Sequence, residues 1–135
     1  MPRHRVRSAV TTLLLVAGLA AGCGAGTPQQ RVEIVIHYST FEPTEVTVAR
    51  GVPITFVLVN QDPIDHEWLI GDAAFHERHR QGTEARHGDR PNEVSLPALT
   101  TAETTLTFDE PGTILYVCHF PRHEAFGMVG TLTVV

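Results

Sequence analysis

The segment that decides the fold runs from Tyr116 to Gly130 and reads Tyr-Val-Cys-His-Phe-Pro-Arg-His-Glu-Ala-Phe-Gly-Met-Val-Gly. It places a thiol, an imidazole and a thioether on one short loop, at Cys118, His123 and Met128. Soft sulfur ligands select copper, and imidazole also suits that metal. The residues on either side of the loop are apolar and β-branched, as is typical of strands. The segment therefore predicts two neighbouring strands joined by a metal-binding loop.

A copper site of this kind needs a second imidazole. Two His and one Cys in a trigonal plane, with a long and weak axial Met, form the blue-copper ligand set. His66 is the best candidate, because it lies just before the strand that contains Trp68. A ligand from a distant strand would hold the loop against the opposite part of the fold. The resulting rigidity favours electron transfer, since the site then rearranges little between Cu(II) and Cu(I).

Outside this loop the chain consists of short runs with a strand pattern. Val32, Ile34 and Ile36 alternate with polar residues, which is the period of a half-buried strand. Turn signals such as Arg50-Gly51 separate the runs. The pattern predicts an all-β domain, an antiparallel Greek-key β-sandwich or barrel of about seven to eight strands. The remaining predicted strands lie at 46–48, 54–59, 68–70, 94–99, 104–108, 114–118 and 130–135.

The segment from Asp72 to Glu93, after the Trp68 strand, has a different composition. It is rich in His, Arg, Glu and Gly and lacks a strand period. We predict a helical or loop insertion here, with a short helix over Ala73 to Arg80 and a loop from Gly82 to Pro91. Histidine-rich tracts bind metals, so the segment offers a candidate second metal site. The alternative is a solvated polar loop. The candidate ligands are His76, His79 and His87.

The chain resembles the small bacterial cupredoxins, the plastocyanin/azurin-like blue-copper family. The resemblance covers nearly all of 34–135. Besides the ligand loop, it includes Phe41-x-Pro43-x-x-Val46-x-Val48-x-x-Gly51 and Glu110-Pro111-Gly112-Thr113, which leads into Tyr116-x-Cys118. It implies one copper ion per chain, cycling between Cu(II) and Cu(I), with the ligands His66, Cys118, His123 and Met128. It also implies that the edge of His123 lies in an apolar patch where redox partners dock, flanked by Phe120, Pro121, Ala125 and Phe126.

Two positions depart from the family pattern. The family loop usually reads Pro-Gly-His, whereas this chain has Pro121-Arg122-His123. If that backbone position needs a positive φ, Arg122 is strained there. The residue beside the first His ligand is often an Asn that tightens the ligand loop, and here the neighbours of His66 are Asp65 and Glu67. Changes around the ligands tune metal affinity and potential.

Other chemistry at these residues has less support. A Cys-His pair such as Cys118-His119 also occurs in copper oxidases and nitrite reductases, but those enzymes need further domains or subunits. A Cys-His hydrolase needs a base-orienting residue and a substrate cleft that the sequence does not indicate. Closed zinc sites in small domains usually have two or more Cys. We therefore expect a copper protein that is not an enzyme.

Two functions are open for such a protein. The first is a type 1 (blue) copper protein that transfers single electrons outside the cytoplasm and meets a redox partner protein. The second is an extracytoplasmic copper chaperone or copper-tolerance protein that buffers copper or delivers it to an accepting protein. The acidic, His-rich insertion at 72–93 favours the second. Either protein would act as a monomer.

The N-terminal residues indicate export. Three arginines among the first seven residues precede an uncharged apolar run, which predicts a secretory signal peptide over 1–22. Small residues lead into Cys23 as in the bacterial lipobox, so we expect Cys23 to carry lipid. Residues 23–30 then form a flexible tether and 31–135 the copper-binding domain. The expected location is the periplasm or the outer face of the cell membrane.

Charge and cysteine content agree with this location. The ten basic residues include the three leading arginines, so seven remain after residue 22, against fifteen acidic residues. This acidic balance excludes nucleic acid as a partner, because phosphates would be repelled. The chain has two cysteines. If Cys23 is lipidated, Cys118 is a lone thiol in an oxidising compartment, and a bound metal would protect it.

Overall fold

The computed structural model of the protein describes residues 29–82, 87 and 90–135. These residues form nine strands, one α-helix and a short 3-10 helix at Glu124–Phe126. The single helix and the many short strands agree with the predicted all-β class. The elements are β1 (Gln30–His37), β2 (Thr40–Glu42), β3 (Glu45–Val48), β4 (Ile54–Asn60), β5 (His66–Gly71), α1 (Ala73–Arg80), β6 (Glu93–Leu96), β7 (Thr101–Leu106), β8 (Gly112–Val117) and β9 (Val129–Val134).

The strands form two sheets, one in the order β2-β1-β4-β7 and the other in the order β3-β9-β8-β5-β6. The predicted β-sandwich is confirmed, but a wholly antiparallel arrangement is wrong, because β1 pairs with β4 and β3 with β9 in parallel. The chain leaves the first sheet after β2, adds β3 to the second sheet and returns as β4. This crossover lets β4 run beside β1 in the same direction, which a tight hairpin cannot do.

Aromatic side chains fill the space between the two sheets. The Trp68 ring lies 4.9 Å from the Phe56 ring and 6.1 Å from the Tyr116 ring, measured between centroids. All three residues are fully buried. Burying a large apolar side chain contributes about 1.5–3 kcal/mol, so this cluster is a main source of stability. Because Trp68 is on β5 and Tyr116 on β8, the cluster also fixes the strand that begins at His66 and the strand that ends just before Cys118.

A close approach between β8 and β9 supports the loop that joins them. The Tyr116 hydroxyl donates to the Pro43 carbonyl oxygen at 2.6 Å, and its ring lies directly over Gly130. A Cβ atom at Gly130 would collide with that ring. Tyr116 comes two residues before Cys118, and Gly130 two residues after Met128. The packing therefore holds both ends of the loop at a set distance.

The predicted helix over Ala73 to Arg80 is confirmed at the same bounds. It begins after Asp72, whose carboxylate accepts a hydrogen bond from the Phe75 amide at 2.7 Å, as an N-cap does. Its last turn is basic, which suits the negative end of the helix dipole. α1 packs against β5 and β8 and so covers one flank of the ligand-bearing sheet.

Some predicted strands have different bounds in the structure, and other predictions lie outside the described residues. The strand expected over 94–99 is observed as β6 and ends before Pro97, which cannot donate to a ladder. The predicted signal peptide, the lipidated Cys23 and most of the tether lie outside the described residues, as does most of the loop at 82–91. In the described part of the chain, no helix is long and apolar enough to span a membrane.

Candidate metal centre

Three of the four predicted ligand residues meet at one end of the sandwich. His66 is the first residue of β5, and Cys118 directly follows β8, which pairs with β5. His123 lies on the loop from β8 to β9, just before the 3-10 helix. One ligand atom from each of these three side chains lies within 4.8 Å of the other two. The neighbouring strands therefore bring together side chains that are far apart in sequence.

The distances between these atoms suit a metal ion. His123 Nδ1 lies 3.3 Å from Cys118 Sγ and 3.3 Å from His66 Nδ1. Metal bonds of about 2.0–2.3 Å at trigonal or tetrahedral angles place neighbouring ligand atoms about 3.3–3.8 Å apart. His66 and Cys118 are fully buried, whereas His123 is partly exposed. An ion held here would be shielded from water on all sides except that of His123.

Met128 is fully buried, and backbone hydrogen bonds hold it next to His123 and Cys118. Its amide donates to the His123 carbonyl oxygen at 3.0 Å, and its carbonyl oxygen accepts from the Cys118 amide at 3.2 Å. The His123 amide donates in turn to the Phe120 carbonyl oxygen at 3.0 Å. The loop is therefore closed by its own backbone, with Met128 at its base beside Cys118.

Asp62 orients the ring of His66, a role that sequence reasoning missed. His66 Nε2 donates to Asp62 Oδ2 at 2.8 Å, which leaves Nδ1 unprotonated and facing the other ligand atoms. The amides of Tyr38 and Ser39 donate to the same carboxylate at 2.7 and 2.8 Å. Burial raises the pKa of Asp62, but these hydrogen bonds outweigh it, and the pKa lies below its usual value. A carboxylate that fixes the tautomer of a ligand histidine is a common feature of metal sites.

Asn60 holds the turn that carries Asp62, and it was also missed. Its side-chain NH2 donates to the carbonyl oxygens of Ile64, Leu96 and Pro97, at 2.9, 3.1 and 3.0 Å. Its side-chain oxygen accepts from the Asp62 amide at 3.0 Å. The sequence signal for these roles was an Asn six residues and an Asp four residues before His66. Their importance becomes evident only from the geometry of the turn.

Glu67 connects the two segments that carry His66 and Cys118, two of the candidate ligands. Its Oε1 accepts a hydrogen bond from the His119 amide at 2.8 Å, next to Cys118. Asp65, on the other side of His66, instead accepts from the Ala98 amide at 2.9 Å. The side chain next to His66 therefore still holds the loop after Cys118 in place. Here it is the carboxylate of Glu67, where the family pattern has an Asn amide.

Arg122 adopts the backbone conformation that its position demands. Its φ is +76°, in the left-handed region that favours glycine. The guanidinium carbon lies 5.5 Å from the centroid of the Phe126 ring, within range of a cation–π contact. The departure from the Pro-Gly-His pattern thus keeps the loop shape and places backbone strain beside His123.

Burial controls the protonation of these side chains in the metal-free protein. It raises the pKa of the Cys118 thiol to about 11 and lowers the pKa of His123. The thiol is therefore protonated near neutral pH, and metal binding must release its proton. Two imidazole nitrogens, a thiolate and a thioether form a donor set that binds copper in preference to hard cations. The residues present therefore fit copper.

His119 faces away from this centre. Its Nε2 lies 2.9 Å from His76 Nδ1, and its Nδ1 lies 3.2 Å from a carboxylate oxygen of Glu124. His76 Nε2 donates to the Leu115 carbonyl oxygen at 3.0 Å. Burial lowers the pKa of His119 to about 4. His119 and His76 form one hydrogen-bonded pair between α1 and β8, outside both groups of candidate ligands among the described residues.

The predicted second set of histidines is partly brought together. His79 and His87 lie close to each other, with ring centroids 5.4 Å apart. The third residue of their group is Glu93, at the start of β6, and not His76. Sequence reasoning missed Glu93 because it was counted as the end of a polar insertion, whereas it is a buried strand residue.

Comparison with known proteins agrees with the geometry. A model of copper-binding proteins of the plastocyanin/azurin family matches residues 30–135. The chain is 27% identical to the copper-resistant cuproprotein CopI of Pseudomonas aeruginosa, over 98% of each chain. It is 32% identical to CopI of Rubrivivax gelatinosus, over 82% of this chain and 69% of the relative. The crystal structure of reduced auracyanin from Roseiflexus castenholzii superposes with a TM-score of 0.66 at 26% identity, covering 83% of this chain and 99% of the other. The chain belongs to the plastocyanin/azurin family of copper-binding proteins.

Proposed function

We propose that the protein is a type 1 copper protein that transfers single electrons outside the cytoplasm, with His66, Cys118, His123 and Met128 as ligands. The observation that carries this proposal is that one ligand atom each of His66, Cys118 and His123 lies within 4.8 Å of the other two, with a buried Met at the base of the same loop. His123 Nδ1 lies 3.3 Å from both the buried thiol and His66 Nδ1. Bound copper supplies a one-electron couple between Cu(II) and Cu(I). The protein itself supplies the ligands, their orientation and the exclusion of water.

The hydrogen bonds around the ligands support electron transfer. Asp62 holds His66, Glu67 holds the amide next to Cys118, and the loop backbone holds Met128. Side chains fixed in this way keep their positions when the charge of the metal changes. A small rearrangement lowers the barrier to electron transfer, because electrostatic preorganisation avoids reorganisation at the moment of reaction.

The surface around His123 supports docking of a redox partner. In the described residues, large apolar side chains are strongly exposed at five positions, and four of these lie near the ligand end of the sandwich. Phe126 follows His123 on the ligand loop. The other three lie around Asp62: the amides of Tyr38 and Leu99 donate to it, and Ile64 follows it by two residues. Exposed apolar patches mark interaction sites, and these four side chains are the candidates for such a patch. The four are Tyr38, Ile64, Leu99 and Phe126.

The test is the visible spectrum of the protein with one equivalent of Cu(II). We expect an intense thiolate-to-copper charge-transfer band that disappears in Cys118→Ser and bleaches reversibly with a reductant. His37→Ala is a matched control, because His37 is exposed at the end of β1 and belongs to neither group of candidate metal ligands among the described residues. A protein that binds copper without such a band would refute the type 1 assignment.

A second candidate function is copper tolerance, in which the protein buffers or delivers copper. Relatives named copper-resistant cuproproteins favour it, since one of them is similar over 98% of both chains. The two functions differ in what happens to the ion. An electron carrier keeps copper through repeated oxidation and reduction, whereas a delivery protein loses it to an acceptor. Measuring copper retention over redox cycles beside a strong Cu(I) chelator separates them.

We further propose that Cys23 anchors the protein to a membrane through lipid. This proposal rests on the small residues that precede Cys23 and on the basic, then apolar, start of the chain. Cys23→Ala should move the protein from the membrane fraction to the soluble fraction. Cys118→Ser is the matched control and should stay in the membrane fraction. Equal distribution of the native protein and Cys23→Ala would contradict the anchor.

A further inference from the structure

We infer that His79, His87 and Glu93 form a second metal site, which takes a divalent first-row transition ion such as Zn(II) or Cu(II). The three residues come from α1, from the segment that follows it and from the start of β6. One ligand atom from each lies within 4.8 Å of the other two. This site shares no residue with the His66, Cys118 and His123 group, and it does not depend on the function proposed above.

The distances agree with tetrahedral coordination. Glu93 Oε2 lies 3.1 Å from His87 Nδ1 and 3.8 Å from His79 Nε2. Bonds of about 2.0–2.2 Å from imidazole nitrogen and carboxylate oxygen place neighbouring ligand atoms about 3.3–3.6 Å apart. The observed distances lie on either side of this range. A small movement of His79 would bring all three atoms to bonding distance of one ion.

The other nitrogen of each ring has the partner that a metal ligand requires. His79 Nδ1 donates to the Phe75 carbonyl oxygen at 2.8 Å, which leaves Nε2 with a lone pair directed toward Glu93. His87 Nε2 lies 3.0 Å from Glu67 Oε2, so a proton on Nε2 leaves the lone pair of Nδ1 on the side that faces Glu93. Ligand histidines in metal sites almost always donate their second N–H to a carbonyl or carboxylate in this way.

Burial makes the arrangement costly without a cation. The side chains of His87, Glu67 and Glu93 are 2%, 4% and 6% exposed. A neutral His87 carries one N–H, yet both of its ring nitrogens face carboxylate oxygens. Arg90 lies 2.9 Å from Glu93 Oε2 and compensates part of the negative charge from the exposed side. A metal bound by Glu93 and the two imidazoles would place a divalent cation beside these buried carboxylates.

The site is open to solvent on one side. A cavity of about 610 Å³ is lined by His79, His87 and Glu93, with further walls from α1 and from the loop after Cys118. It gives an ion a route of entry and leaves room for a water molecule as the fourth ligand. Two nitrogens and one oxygen without sulfur favour Zn(II) or Cu(II) over Cu(I), which prefers thiolate and thioether ligands.

The test is a calorimetric titration of Zn(II) into the copper-loaded, full-length protein. We expect one Zn(II) to bind per chain. The affinity should fall at least about 10–100-fold in His79→Ala and in Glu93→Gln, because even the partners of ligands contribute that much. His37→Ala is the matched control, since it removes an exposed imidazole from the far sheet and should bind Zn(II) as the native protein does.

Two outcomes would overturn the inference. One is the absence of Zn(II) binding, which would mean that His87, Arg90, Glu67 and Glu93 form only an ion-pair network. The other is equal Zn(II) affinity in the native protein, His79→Ala and Glu93→Gln. Circular dichroism of each variant establishes that it is folded. Because neither substituted residue belongs to the first centre, both variants should still load copper there, so a failure of this second site is distinguishable from a failure of the first.

Discussion

Asp62→Asn is the substitution that best tests how the protein orients its proposed copper ligands. Three N–H groups converge on the Asp62 carboxylate. They belong to the His66 ring at 2.8 Å and to the amides of Tyr38 and Ser39 at 2.7 and 2.8 Å. An ionised carboxylate only accepts hydrogen bonds, so it satisfies all three. An amide has one oxygen, and in either orientation at least one N–H faces its NH2 group.

The magnitude follows from this count of donors. Asp62 is 5% exposed, so water does not replace the lost acceptor. A buried donor without a partner costs about 1–3 kcal/mol, and we expect the free energy of unfolding of the metal-free protein to fall by that amount. The bond to His66 also loses its charged acceptor. Loss of such a partner lowers metal affinity about 10–100-fold, which is the expected loss in copper affinity.

Urea denaturation of the metal-free protein measures the first effect, and competition with a chelator of known affinity measures the second. Asp65→Asn is the matched control. Asp65 is exposed and accepts one hydrogen bond, from the Ala98 amide, which an amide oxygen can also accept. We expect that control to change stability by less than about 0.5 kcal/mol. Native copper affinity in Asp62→Asn, or equal damage from Asp65→Asn, would refute the reasoning.

Three further substitutions test the loop between β8 and β9. Gly130→Ala would drive a methyl group into the Tyr116 ring, and urea denaturation should record a loss of about 1–3 kcal/mol or more. Arg122→Gly should be more stable than Arg122→Ala by about 1 kcal/mol. Both variants lose the contact with Phe126, but only Gly adopts the positive φ without steric strain. Equal stability of the two variants would show that the position is not strained. Glu67→Ala removes the acceptor that anchors the amide next to the thiol, so it should weaken copper binding about 10–100-fold in a chelator competition; an unchanged affinity would exclude that role.

Local patterns were sufficient for much of the fold. The helix over Ala73–Arg80 was predicted at its observed bounds, because its cap and its composition lie within one short segment. The strands on either side of the ligand loop were predicted for the same reason. The wholly antiparallel sheet was wrong because strand direction depends on which sheet the chain enters after β2. No local pattern records that choice.

The ligand loop itself was readable from the spacing of Cys118, His123 and Met128, since a loop between paired strands brings its own side chains together whatever the rest of the chain does. His66 was predicted from its position before the Trp68 strand and from the family resemblance, and the structure brings its ring next to Cys118 and His123. The role of each as a copper ligand stays a prediction for the spectrum to test. The family of the chain, by contrast, was predicted from these motifs and is confirmed by the match over 30–135.

The sequence by itself thus determined the sandwich, the helix and the loop that carries Cys118 and Met128, because each depends on neighbours along the chain. Only the tertiary structure decided that Asp62 orients His66, that Glu67 joins the two ligand segments, and that Glu93 replaces His76 beside His79. These carboxylates look like ordinary surface charges in the sequence. Their roles arise from burial and from hydrogen-bond geometry, which exist only once separate strands have packed together.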